Sequence, residues 1–249
     1  MRFRFLTDRI KSCDDFCAAI NRIKDAAADM IWPPCCILCK RSCRDVVCKE
    51  CRSRSSLFEG GSAFSGAQSS ESSCAPACRG IYACGVYAAA YKAALIEYKF
   101  QGQLWIGKGL AELMYEMLTE NGALKECGAI TYVPISDKRF AERGFDQSKF
   151  VAELVGKKSG IKCVDMIKRD IQGGTQSKFN RRERLKRSVG RFCATEELKG
   201  GQFERGKPVI LIDDILTTGA TLQECASLLS GNGCDMVIGA VMATGRKDI

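Results

Sequence analysis

The sequence predicts an α/β fold, a parallel sheet flanked by helices, with a small cysteine-rich module in front of it. Three observations carry this. From Gly85 onward, stretches of helical period alternate with short apolar runs, the order in which a parallel sheet and its covering helices are laid down. Val209-Ile210-Leu211-Ile212 is continuously apolar, as a strand buried on both faces must be. Eleven of the sixteen cysteines fall between Cys13 and Cys84, which marks the N-terminal third as a separate kind of structure.

Taken in order, Ile10, Phe16, Cys17, Ile20, Ile23, Ala27 and Met30 recur at a spacing compatible with one amphipathic helix, which must end before Trp32-Pro33-Pro34. The cysteine-rich module runs from Cys35 to Cys51, and a Ser/Gly/Ala-rich stretch over 52–73 reads as an insertion. The expected division is therefore 1–34 for the helix, 35–84 for the cysteine module with its insertion, and 85–249 for the α/β domain. Within that domain the pattern predicts helices over 91–100 and 104–120, an apolar strand within 129–135, a loop over 136–144 and a helix over 146–158. Strands over 207–212 and 236–242 then flank a helix over 221–229.

Composition narrows the function classes. At 46% hydrophobic and 27% charged the chain has globular proportions, and no apolar run approaches the ~20 residues needed to cross a bilayer. The first ten residues alternate charged and apolar side chains and lack the apolar core of a secretory signal, so a cytoplasmic protein is expected. In a reducing compartment, cysteines serve as metal ligands or buried thiols rather than as disulfides. The chain contains no histidine, which removes the commonest general base. Its formal charge of +9 favours anionic partners.

The segment after Pro208 carries the most chemistry. The apolar run ends in Asp213 and Asp214, where a parallel strand delivers its C-terminal end to a ligand crevice, and Leu216-Thr217-Thr218-Gly219-Ala220-Thr221 turns the chain into a helix. A small, hydroxyl-rich turn at a helix N-terminus presents backbone N–H groups to a phosphate. Adjacent carboxylates beside such a seat make electrostatic sense if they meet sugar hydroxyls or a divalent cation, and a ribose 5-phosphate satisfies both halves. This run resembles the PRPP signature of the phosphoribosyltransferases. Gly102 to Gly109 is a near match to a nucleotide-binding glycine loop, but it is one residue short. It also places Leu104, Trp105 and Ile106 where such a loop must hug phosphates, and is rejected.

Cys36-x-x-Cys39 and Cys48-x-x-Cys51 form two knuckles of the kind that supply four thiolates to a structural zinc. Cys35 and Cys43 blur the choice of ligands. Cys74, Cys78 and Cys84 are irregularly spaced and could contribute to a second site. Lys138, Arg139 and Arg143 follow the predicted strand and could neutralise a departing pyrophosphate or another anion. A second basic segment over 173–188 packs six Lys/Arg residues around one Glu and could act as a clamp on PRPP or contact nucleic acid through phosphates.

In order, the Cys36–Cys51 knuckles, Tyr98-Lys99-Phe100-Gln101-Gly102, Val133-Pro134, Arg143-Gly144-Phe145-Asp146-Gln147, Arg169, Thr175-Gln176, Arg184 and Asp213–Thr221 resemble the ComF family of competence-associated proteins. Asp146 and Arg187 stand where that family commonly has Asn. The resemblance implies a type I phosphoribosyltransferase-like sheet behind a zinc ribbon. It also implies PRPP or a related ribose phosphate bound by Asp213, Asp214, Thr217, Thr218, Gly219, Ala220 and Thr221, with magnesium accompanying PRPP. The implied role is in natural competence, in the handling of incoming single-stranded DNA with a helicase-like partner. An active phosphoribosyltransferase of nucleotide or base salvage, for which no base-binding hood is legible, and a nucleotide-sensing regulator are the alternatives.

Overall fold

The computed structural model describes residues 35–54, 77–169 and 192–245. The helix expected over 8–30, the Ser/Gly-rich insertion, Cys74 and the basic segment over 173–188 lie outside them. A short helix, α1 (Lys49–Arg54), closes the cysteine module. The order that follows is β1 (Gly80–Ala83), α2 (Ala89–Gln101), α3 (Leu104–Glu120), β2 (Ala129–Tyr132), α4 (Asp137–Arg143) and α5 (Gln147–Ser159). The chain continues with β3 (Ile167–Arg169), β4 (Phe192–Ala194), α6 (Glu196–Lys199), β5 (Val209–Leu216), α7 (Ala220–Gly231) and β6 (Val237–Thr244).

Four strands form one sheet in the order β1-β6-β5-β2, every pair parallel. β3 and β4 make a separate antiparallel pair. β5 is central, with Ile210 facing Ile130 of β2 and Ile238 of β6. Its side chains alternate between two apolar clusters. Ile210 and Ile212 pack toward α2, α3 and α5 on one face, while Val209 and Leu211 pack toward α7 and the β3–β4 pair on the other. All four are fully buried, which is why this stretch carries no polar alternation in the sequence.

Three expectations are corrected. The boundary at Cys84–Gly85 falls inside the α/β unit, because Gly80 to Ala83 pair with Ile238 to Val241. A four-residue edge strand is too short to show a period. Residues 136–144 are not a loop: Ser136 accepts the N–H of Arg139 and caps α4, which Gly144 ends in a left-handed conformation. The acidic pair lies inside β5 rather than beyond it, since the ladder with β6 continues to Leu216 opposite Thr244.

The rejected glycine loop has a packing explanation. Gly102 ends α2 at φ 63°, and the remaining glycines sit inside α3. A Cβ on Gly107 would lie 2.5 Å from the Tyr98 ring and 2.8 Å from Phe150, and one on Gly109 2.7 Å from Ile37 of the cysteine module. These glycines let α2, α5 and the module approach α3 closely. Among the described residues, no helix is long and apolar enough to cross a membrane.

Candidate functional site

The C-terminal edge of the sheet gathers the charged residues. Asp213 Oδ1 accepts the backbone N–H of Asp214 at 2.7 Å, and Asp214 Oδ1 accepts that of Ile215. Asp214 Oδ2 meets the ammonium of Lys99 at 2.6 Å. Lys99, in the last turn of α2, is only 8% exposed. A lysine that buried requires a fixed counter-charge. Sequence reasoning named Lys99 only within a segment of family resemblance and gave it no role, although its place between Tyr98 and Phe100 put it on the inward face of the helix.

Asp146 begins α5 and also faces this edge. Its Oδ1 accepts the N–H of Lys149 at 3.0 Å and its Oδ2 that of Ile135 at 2.9 Å, so it caps the helix and anchors the chain leaving β2. Tyr98 donates its hydroxyl to the Gln147 carbonyl at 2.9 Å and packs its ring against Phe145 and Phe150 at 5.4 and 6.3 Å. This aromatic contact locks the end of α2 to the start of α5 and so fixes where Lys99 emerges.

Burial pushes the Asp213 carboxyl above the ordinary range, and the neighbouring Asp214 charge adds to it. Burial raises Asp146 in the same direction, against the N–H bonds that lower it. Both carboxyls are thus biased toward the protonated form.

The Thr/Gly turn lies directly after β5. Thr217 and Thr218 are exposed, and Gly219 takes φ 80°, a left-handed conformation that disfavours other residues. Gly219 also stands at the N-cap of α7 with no side-chain cap, which leaves leading N–H groups of a twelve-residue helix to a ligand or to water. Ala220 N–H reaches Thr218 Oγ1 only at a long 3.4 Å, and Thr221 is half-buried in the first turn. The Gly245 N–H donates to Leu216 O at 2.9 Å, tying the end of β6 to the base of the turn.

The three expected anion contacts separate into two kinds. Lys138 and Arg139 are exposed on α4. Arg143 turns inward instead: its guanidinium lies 4.8 Å over the Phe100 ring, Nη1 donates to Gln147 Oε1 at 2.7 Å, and its buried Nε makes no hydrogen bond. Arg143 is thus engaged in joining α4 to α2 and α5, while the other two remain available to solution.

At the other end of the chain the two knuckles converge. The sulfurs of Cys36, Cys39, Cys48 and Cys51 all lie within 4.8 Å of one another, with Cys39 and Cys48 at 3.7 Å. Ligands ~2.3 Å from a tetrahedral ion are separated by roughly that distance. The four thiols could hold a metal ion. The backbone N–H of Arg41, followed by neighbouring thiols, pulls Cys39 below the ordinary thiol range, which favours the thiolate a metal binds. Cys43 is outside the group, with its thiol on Asp45 O at 3.0 Å. Cys78 and Cys84 are buried in the apolar clusters on opposite faces of the sheet, so they do not share a site.

Residues 150–249 match the phosphoribosyl transferase domain family. The chain is 33% identical over 147 residues to Competence protein ComFC of Streptococcus pneumoniae, covering 59% of this chain and 60% of that protein. It is 30% identical over 148 residues to Competence protein F of Haemophilus influenzae, covering 56% and 62%. The chain is related to the ComF competence proteins. It spans about three fifths of the length of these ComF relatives. Among solved structures, a glutamine PRPP amidotransferase from Bacillus subtilis aligns with 59% of the chain and 30% of its own length, at 17% identity and a TM-score of 0.40.

The raised Asp213 carboxyl sets the sign of a pH effect. A raised acid stabilises the fold when protonated, below the ordinary aspartate range, and that stability is lost as pH rises through the raised value. Asp213→Asn should therefore gain thermal stability over the wild type as pH increases, by about 2–4 °C at neutral pH, or about 1 kcal/mol. Melting curves that run parallel from pH 4 to 9 would show that Asp213 carries no buried charge.

Proposed function

We propose that this edge is a ribose-phosphate seat and that the chain is a ComF-like protein that binds PRPP or a related ribose phosphate in natural competence. One observation carries the reading: in a domain of phosphoribosyl transferase type, Asp213 and Asp214 at the end of the central strand are followed at once by an uncapped helix start at Gly219. In this account the 5-phosphate takes the N–H groups of Thr218 to Thr221 with the hydroxyls of Thr217, Thr218 and Thr221. The ribose hydroxyls go to the acidic pair. Lys138 and Arg139 meet pyrophosphate, with Arg143 bracing their helix.

When Asp213, Asp214 and Asp146 are all ionised, one buried lysine leaves the edge net negative, and a polyanionic ligand then needs further positive charge. Magnesium bound with PRPP would supply it, held through Asp213 and the ligand's own oxygens. The four-cysteine group is proposed to hold a structural zinc that fixes the module against α3. The +9 charge and the competence proteins among the relatives support a role with single-stranded DNA, and the ribbon is the surface proposed for a helicase-like partner.

Titration calorimetry with PRPP and magnesium should show one site per chain, and Gly219→Val, which puts a β-branched side chain at φ 80°, should weaken it tenfold or more. Wild-type protein that takes up no PRPP would refute the reading. Metal analysis of purified protein should find one zinc per chain, lost in Cys48→Ser. A chain that carries no zinc and melts normally would remove the structural ribbon from the account.

A further inference from the structure

Among the described residues, four large apolar side chains are exposed: Ile96, Phe100, Leu104 and Phe140. All four belong to the last two turns of α2, the first residue of α3, and α4. Phe100 and Phe140 are the most exposed, at 65% and 52%. An apolar side chain exposed singly needs no explanation, but a clustered group marks a contact surface.

Arg143 ties the two rings together. Its guanidinium lies 4.8 Å from the centre of the Phe100 ring, and Gln147 Oε1 holds its Nη1 at 2.7 Å. Arg143 stands three residues after Phe140 and four after Arg139, so both neighbour it on the surface of α4. Aromatic and cationic side chains are therefore interleaved from Phe100 through Arg143 to Phe140 and Arg139, with Lys138 exposed on the same short helix. That interleaving has a definite chemical complement. An open aromatic ring takes another flat ring, and cations at its margin take phosphates. A single-stranded polynucleotide presents both along its length. A duplex keeps its bases paired and stacked within itself, and an apolar peptide would leave the cations without partners.

We infer that this patch is where a single strand is held: Phe100 and Phe140 stack its bases, and Arg143 is a positioning residue that sets the two rings side by side. Lys138 and Arg139, which meet pyrophosphate when PRPP is bound, meet the strand's phosphates in its absence. The inference rests on the proposed role with single-stranded DNA and gives that role a place on α2 and α4. It also accounts for α4 itself, a short helix with no buried residue that turns a phenylalanine outward.

The test is fluorescence anisotropy of the full chain, without PRPP, on two labelled oligomers of about 15 nucleotides: oligothymidylate, and an oligomer of the same length whose positions are all abasic. The two carry the same phosphates, so their affinity ratio isolates the bases. Wild-type protein should prefer oligothymidylate about tenfold or more. Phe140→Leu keeps apolar bulk at an exposed position, so the melting temperature holds while the ratio falls severalfold; Phe140→Trp should retain the wild-type ratio. Phe100→Leu should lower the ratio as Phe140→Leu does. Arg139→Ala should weaken both oligomers alike and flatten their salt dependence, leaving the ratio in place. Wild-type protein that binds neither oligomer overturns the single-stranded DNA reading itself, and this inference with it. Wild-type protein that binds oligothymidylate no better than the abasic oligomer, or a preference that survives both leucine substitutions, overturns this inference alone and leaves the patch to a protein partner.

Discussion

Much of the structure follows from the demand placed on β5. Its first four residues are buried on both faces between β2 and β6, yet its next two are carboxylates that must stay in the ladder. Burying those charges is unfavourable unless something compensates them. The compensation comes from elsewhere in the chain: Lys99 reaches in from α2, and backbone N–H groups of Asp214 and Ile215 turn onto the side chains. The placement of α2 is fixed in turn by Tyr98 against α5 and by the missing Cβ of Gly107. The central strand, the two helices and the acidic edge are therefore one coupled arrangement.

Parts of this were legible in the sequence. Val209 to Ile212 announced a strand buried on both faces, and Leu216 to Thr221 announced the turn that leads from it into α7. The spacing of Cys36, Cys39, Cys48 and Cys51 identified the four thiols that converge, even with Cys35 and Cys43 close by. Other parts were not legible, for physical reasons. β1 is four residues long at a sheet edge and owes its conformation to β6 rather than to its own pattern. α4 has no buried residues, so no apolar period marks it; Ser136 and Gly144 mark its ends instead. The fates of Lys99 and Arg143 depend on partners 115 and 43 positions away, Asp214 and Phe100, which local pattern does not encode.

The cysteine module is joined to the same framework. Cys36, Ile37 and Val47 are buried in the apolar cluster that includes α2, α3 and α5, and Gly109 provides the depression that Ile37 enters. Lys40 adds an ion pair to Glu97 on α2 at 2.8 Å and a contact over the Trp105 ring at 4.7 Å. The metal-binding candidate thus packs near the end of α2 that also carries Lys99 and on the first turns of α3, so that loss of the module would be felt by both helices.

The central claim is one of place: the ligand sits where β5 gives way to α7. Mapping amide chemical shifts by nuclear magnetic resonance during addition of PRPP and magnesium tests this directly. The account predicts that the largest changes fall on Asp213, Asp214 and Thr217 to Thr221, with smaller ones on Lys138 and Arg139. Changes concentrated instead at the opposite end of the sheet, around Arg79 and Asn121 to Ala123 where a cavity of about 270 Å³ opens, would contradict it.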